Sequence, residues 1–118
     1  MKTIKMPKAL ADTWLADLRS GKYPQGRRTL ECDGAYCCLG VLQKGADGKV
    51  ERTLGGTVLH LPSPKWLSKH NVEFCESDGA LVCNPFLPTL GMSAASANDN
   101  GKTFAEIADA IEAALETT

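Results

Sequence analysis

Between Ser20 and Arg28 the chain places Lys22, Arg27 and Arg28 beside Gly21 and Gly26, with Tyr23 and Gln25 among them. A guanidinium is a planar fork of N–H donors that matches phosphate or carboxylate in bidentate fashion. The two glycines allow close backbone approach, Gln25 adds hydrogen bonds, and Tyr23 adds a stacking surface. The chemistry this suggests is capture of a small anion. The segment lacks the Gly-Lys-Ser/Thr ending of a hydrolase phosphate loop, so nucleotide hydrolysis has no support. The bland alternative is a solvated connection whose arginines pair with acidic residues near the end of the chain.

A second polar loop, Asn98-Asp99-Asn100-Gly101-Lys102, precedes the last helical segment. It lacks the alternating ligands and the later bidentate Glu of a calcium loop, and Asp and Asn are ordinary turn residues. If this loop meets the basic one, Asn98 and Asp99 offer hydrogen bonds to a ribose-like group. The expected ligand-binding set is therefore Lys22, Tyr23, Gln25, Arg27, Arg28, Asn98 and Asp99.

The five cysteines are Cys32, Cys37, Cys38, Cys75 and Cys83. A cysteine nucleophile needs a base or another source of thiolate stabilisation, and nothing places His60 or His70 beside a thiol. With Leu39, Val41 and Leu42 alongside, Cys37 and Cys38 read as inert core thiols. No Cys-x-x-Cys or Cys2His2 spacing supports a zinc site, and no metal or cofactor is implied. Free thiols in a reducing compartment are expected, although Cys75 and Cys83 flank a hairpin where a disulfide is conceivable. There is no Ser-His-Asp order, no His-Glu-x-x-His and no dinucleotide fingerprint, so no catalytic residue is assigned.

The chain has 118 residues, 43% hydrophobic and 23% charged, which fits one globular domain spanning 1–118. The first residues lack the apolar core of a signal peptide and no apolar run is long enough to span a membrane. A soluble protein that stays where it is made is expected. The formal net charge of -1 hides an asymmetry. Lys2, Lys5, Lys8, Arg19, Lys22, Arg27 and Arg28 precede most acids, whereas Asp99, Glu106, Asp109, Glu112 and Glu116 cluster at the end. The two ends can meet within the fold or between copies in a homo-oligomer. A general nucleic-acid binder would be basic overall, which weighs against that partner.

Helical spacing of Leu10, Trp14, Leu15 and Leu18 predicts a helix over 7–20, with Pro7 in the first turn and Gly21 at the stop. Asp33-Gly34 predicts a hairpin. Residues 38–44 are read as a short buried helix ended by Gly45. Short strands are expected over 49–54 and 57–61, and Ser63-Pro64 opens a short helix through Trp66 and Leu67. Two strands, 72–75 and 81–83, surround Ser77-Asp78-Gly79. Residues 84–88 read as loop and 93–97 as a helical turn. Thr103 and Glu106 have capping-box spacing, followed by an apolar face of Phe104, Ile107, Ala108, Ile111 and Leu115. The fold class is α+β: a small domain of short antiparallel hairpins flanked by N-terminal and C-terminal amphipathic helices.

Four segments in combination resemble a family of small tailed-phage and prophage proteins. They are Trp14–Tyr23, Tyr36-Cys37-Cys38-Leu39-Gly40-Val41-Leu42, Leu61-Pro62 with Trp66-Leu67, and Asn98-Asp99 with Thr103–Asp109. The likeness covers most of the chain outside 44–60 and 71–92. It brings no settled activity or catalytic residues, and implies a phage origin and a host-cytoplasmic location. Phage accessory proteins of this size often counter bacterial immunity, some as oligomeric sponges for nucleotide signals. The leading expectation is a non-enzymatic accessory protein that sequesters a small nucleotide-like ligand. The rivals are an inhibitor that binds a host protein and a cysteine-dependent enzyme.

Overall fold

A computed structural model describes residues 1–118. The apolar spacing near the start forms α1 (Lys8–Arg19), which buries Ala11, Trp14, Leu15 and Leu18 and follows Pro7 at its N-cap. The Trp14 indole N–H donates to the Cys38 carbonyl at 2.9 Å, and its ring lies 6.2 Å from that of Phe74. One tryptophan thus joins helix to helix and helix to sheet.

The Asp33-Gly34 hairpin forms as β2 (Glu31–Cys32) and β3 (Ala35–Tyr36). It leads into α2 (Cys38–Asp47), where Cys38, Leu39, Gly40, Val41 and Leu42 are all buried. Gly40 is demanded by packing: a Cβ there would lie 1.8 Å from the Leu30 carbonyl oxygen. Gly45 does not end this helix. It lies inside α2, where a Cβ would come within 2.7 Å of Asp17 Oδ2 on α1, so close helix approach outweighs its low propensity. Gly48, at φ 77°, supplies the left-handed stop instead.

The expected strands over 49–54 and 57–61 reduce to a single bridge between Arg52 and Val58. Side chains pin this stretch in place of a ladder. Gln43, fully buried, donates to Glu51 Oε1 at 2.8 Å and accepts the Glu51 N–H at 2.8 Å. Ser63 donates its N–H and hydroxyl to the same carboxylate. Ser63 then caps α3 (Pro64–Lys69) as its sequence position predicts.

The remaining elements are β4 (Glu73–Cys75), β5 (Leu81–Val82), β6 (Phe86–Leu87), β7 (Met92–Ser93), α4 (Ala94–Asp99) and α5 (Phe104–Ala114). Part of the expected loop at 84–88 is therefore strand β6, paired antiparallel with β7. The capping box of Thr103 and Glu106 opens α5. Leu115 leaves that helix with ψ 134° and begins β8 (Leu115–Thr117). Together with β1 (Ile4–Met6), these strands build a sheet of order β5-β4-β1-β8. Ile4 opposes Phe74 on one side in antiparallel register and Leu115 on the other in parallel. The domain is α+β, and no helix is long and apolar enough to cross a membrane.

In the β4–β5 register Cys75 faces Leu81, leaving Cys83 on the diagonal. Diagonal Cα atoms lie roughly 7–8 Å apart, beyond the usual disulfide span. All five thiols are free.

A polar clamp ties the end of α2 to α3. Trp66 Nε1 donates to Asp47 Oδ2 at 2.7 Å, His70 Nε2 lies 2.9 Å from Asp47 Oδ1, and the two rings stack at 4.0 Å. Burial pushes the Asp47 carboxyl up, but the bonds from Trp66 and His70 and the positive charge nearby outweigh it. The carboxyl is held below its usual range, so its contribution is complete above the unfolded-state value and is lost as pH falls through the folded-state value. Urea denaturation from pH 6 down to about pH 2 will show Asp47→Asn losing less stability on acidification than the wild type. Separately, Gly40→Ala will lower the unfolding free energy by about 3 kcal/mol, read by the same method.

Candidate anion-binding surface

The two polar loops meet, and a buried amide joins them. Asn98, at the end of α4, is 0% exposed. Its Oδ1 accepts from Gln25 Nε2 at 3.0 Å and from the Cys38 N–H at 3.2 Å, while its Nδ2 donates to the Gly26 carbonyl at 2.7 Å. Gln25 Nε2 also donates to the Lys102 carbonyl at 2.7 Å. From the other side, the Gly26 N–H donates to the Tyr36 carbonyl at 2.7 Å and the Tyr36 N–H to the Pro24 carbonyl at 2.8 Å. The basic loop is thus fastened along 24–26 to β3, α4 and the segment before α5.

This fastening changes the roles read from sequence. Both ends of the Asn98 amide are spent inside the protein, so Asn98 builds the platform and does not reach a ligand, whereas exposed Gln25 is anchored through its Nε2. Gly26 serves packing: a Cβ there would lie 3.1 Å from Ala35. Lys22 lies 3.9 Å from Asp17 Oδ1 and 5.1 Å from the centre of the Tyr23 ring. Tyr23 in turn sits edge-on to Tyr36 at 5.3 Å.

Arg27 and Arg28 remain. Both are exposed, and neither takes part in any ion pair within 4.0 Å. The charge asymmetry of the chain is resolved elsewhere, by Arg19 with Asp109 at 2.8 Å and Glu112 at 2.6 Å. The Arg27 guanidinium lies over the second loop, its Nη2 3.5 Å from where a Gly101 Cβ would stand. The Arg28 backbone is left-handed at φ 71°. That conformation is held from both sides: Asp99 Oδ1 accepts the Arg28 N–H at 2.9 Å, and His60 Nδ1 bonds to the Arg28 carbonyl. A bulky residue in this region is strained by about 1 kcal/mol or more. Asp33 and Asn71 share the geometry, but their residue types suit it.

Sequence reasoning did not include Gly101, Lys102 or His60 in this surface. Only the proximity of Gly101 and Lys102 to Asn98 and Asp99 hinted at them. His60 was not readable, because its partner is a main-chain oxygen. Neither main cavity touches this region. One, of about 650 Å³, lies between α3 and β4–β5, lined by Leu67, Phe74 and Val82; the other adjoins Leu61, Glu76 and Phe86.

The paired cysteines are sealed from solvent. Cys37 and Cys38 are 3% and 0% exposed, and burial pushes both up from the usual thiol range, reinforced by the Asp99 charge. Cys37 Sγ caps α2 by accepting the Gly40 N–H at 3.4 Å. His70 is engaged with Asp47 and the Trp66 carbonyl, and His60 with Arg28, so neither serves as a base for these thiols.

A family model described as a domain of unknown function (DUF8296) matches residues 6–46. That stretch runs from the end of β1 through the basic loop to α2, and stops short of the Asn98–Lys102 loop. No curated protein and no solved structure matches the chain.

The left-handed Arg28 gives a direct test of whether its side chain is kept for stability. Arg28→Gly relieves the strain while preserving the N–H bond to Asp99. In urea denaturation it will match the wild type or exceed it by up to about 1 kcal/mol. A clear loss of stability would show that the side chain supports the fold.

Proposed function

We propose that this chain is a non-enzymatic accessory protein that binds and sequesters a small anionic, nucleotide-like ligand through Arg27 and Arg28. The observation that carries the reading is two consecutive, exposed arginines with no carboxylate partner, mounted on a loop whose backbone is fixed from beneath. Such a pair loses little conformational freedom on gripping a phosphate, because the loop is already ordered. The resemblance to phage and prophage proteins supports a role in host takeover or counter-defence, in the host cytoplasm. Burial of Cys37 and Cys38 speaks against the thiol-enzyme reading.

Assembly of copies around the ligand would bring further arginines to it, in keeping with a sponge. A second reading, an inhibitor that docks on a host protein, draws support from Leu81, which is 71% exposed on β5 at the free edge of the sheet.

Thermal-shift measurements with cyclic dinucleotides, cyclic mononucleotides and ADP-ribose will show stabilisation by at least one of them. Arg27→Ala and Arg28→Ala will each remove that stabilisation while leaving the unliganded melting temperature within a few degrees. Stabilisation by none of these compounds would overturn the small-ligand reading and leave the protein-docking one.

A further inference from the structure

The four-stranded sheet ends at β5, which pairs with β4 on its inner side and with no strand on its outer side. Folded proteins guard such an edge with a lysine, a proline or a bulge, because its unpaired N–H and C=O groups recruit other strands. Here the edge carries Leu81, 71% exposed, and the half-buried Val82. Its shortness limits unselective pairing.

Two cavities adjoin this strand, and Val82 and Cys83 line both. One, of about 650 Å³, reaches Leu67 and Phe74; the other, of about 500 Å³, reaches Leu61 and Phe86. A strand added to an edge projects successive side chains to opposite faces. Main-chain hydrogen bonds then supply affinity, and pockets for alternate side chains supply specificity.

The charge around the cavities has one sign. Glu73 lines the first and Glu76 the second; both are exposed and neither forms an ion pair. Asp78, in the turn between β4 and β5, adds a third acid, and no basic residue lies between Glu73 and Cys83. No lysine or arginine lines either cavity. Lys5 faces Glu73 in the β1–β4 register, without an ion pair between them. Pairing of β5 with the β5 of a second copy would set two acidic hairpins side by side, which like charge opposes. A cationic partner is attracted.

Building on the docking reading, and independently of the arginine surface, we infer that β5 is a strand-addition site for an extended segment of a partner protein that alternates apolar residues with lysine or arginine. The main chain of that segment pairs with β5. Its apolar side chains enter the two cavities, and its cationic ones meet Glu73 and Glu76.

Selection of a displayed random dodecapeptide library against the full chain, followed by fluorescence anisotropy of the enriched peptides, tests this. Enriched sequences will alternate apolar residues with Lys or Arg. Leu81→Arg will weaken their binding by about tenfold or more. Glu73→Gln combined with Glu76→Gln will weaken it and flatten its salt dependence. Methylating the peptide nitrogens one at a time will weaken binding at alternate positions, as strand pairing requires. That scan uses the wild-type protein, so it decides even where circular dichroism shows a variant to be poorly folded. Peptides that need Leu81 but lack cationic residues and tolerate methylation would overturn strand addition and keep docking. No enrichment, or binding indifferent to Leu81→Arg, would overturn both. Concentration-dependent dimerisation abolished by Leu81→Arg would overturn the cationic partner in favour of a second copy.

Discussion

The buried side-chain amide of Asn98 holds together the parts of this protein that face outward. Held on α4, its two ends bond to two further stretches: the basic loop through Gln25 and Gly26, and the first N–H of α2. Asn98 itself is fully buried, where an amide without partners costs about 1–3 kcal/mol. Together these bonds fix the loop to the domain. The exposed guanidiniums of Arg27 and Arg28 inherit their orientation from a residue that never meets solvent.

The same region explains why a run of two cysteines, a glycine and three aliphatics fits here. Cys37 ends the hairpin and caps α2, Cys38 receives the Trp14 indole bond on its carbonyl, and Gly40 lets the Leu30 backbone lie against the helix. Each position answers a packing demand. The sulfur atoms act as compact apolar filling, Cys37 weakly accepting the Gly40 N–H and Cys38 weakly donating to the Ala94 carbonyl, and burial disfavours their thiolates. What resembles a redox motif in one dimension is a helix start in three.

Elements long enough to show a period were readable from sequence: α1 and α5 by their apolar stripes, α5 also by its capping box, and the β2–β3 hairpin by Asp33-Gly34. The four-stranded sheet was not fully readable, because β1 and β8 are three residues each and pair across the whole chain. Gly45 misled because propensity was local while the approach of α1 to α2 was not. The coming together of the two polar loops was legible only as a condition, and the division of labour within them not at all. Asn98 and Asp99 are chemically similar neighbours, yet one faces inward and the other outward. Nor does any local signal mark Arg28 as left-handed; that follows from the acceptor and the ring placed on either side of it.

The position of β1 also governs the order of events during synthesis. It precedes both of its partners in the chain and is an inner strand of the sheet, yet it pairs with β4 and β8, and Ile4 must find Leu115. Closing such a long loop carries an entropic cost that no local contact offsets. Until residues near 115 emerge from the ribosome, one edge of β1 stays open and Ile4 and Met6 lack part of their cover. Assembly of the sheet thus waits on β8, more than a hundred residues after β1. A nascent chain stalled before α5 would expose an unpaired apolar strand, the kind of surface that chaperones and neighbouring chains recognise.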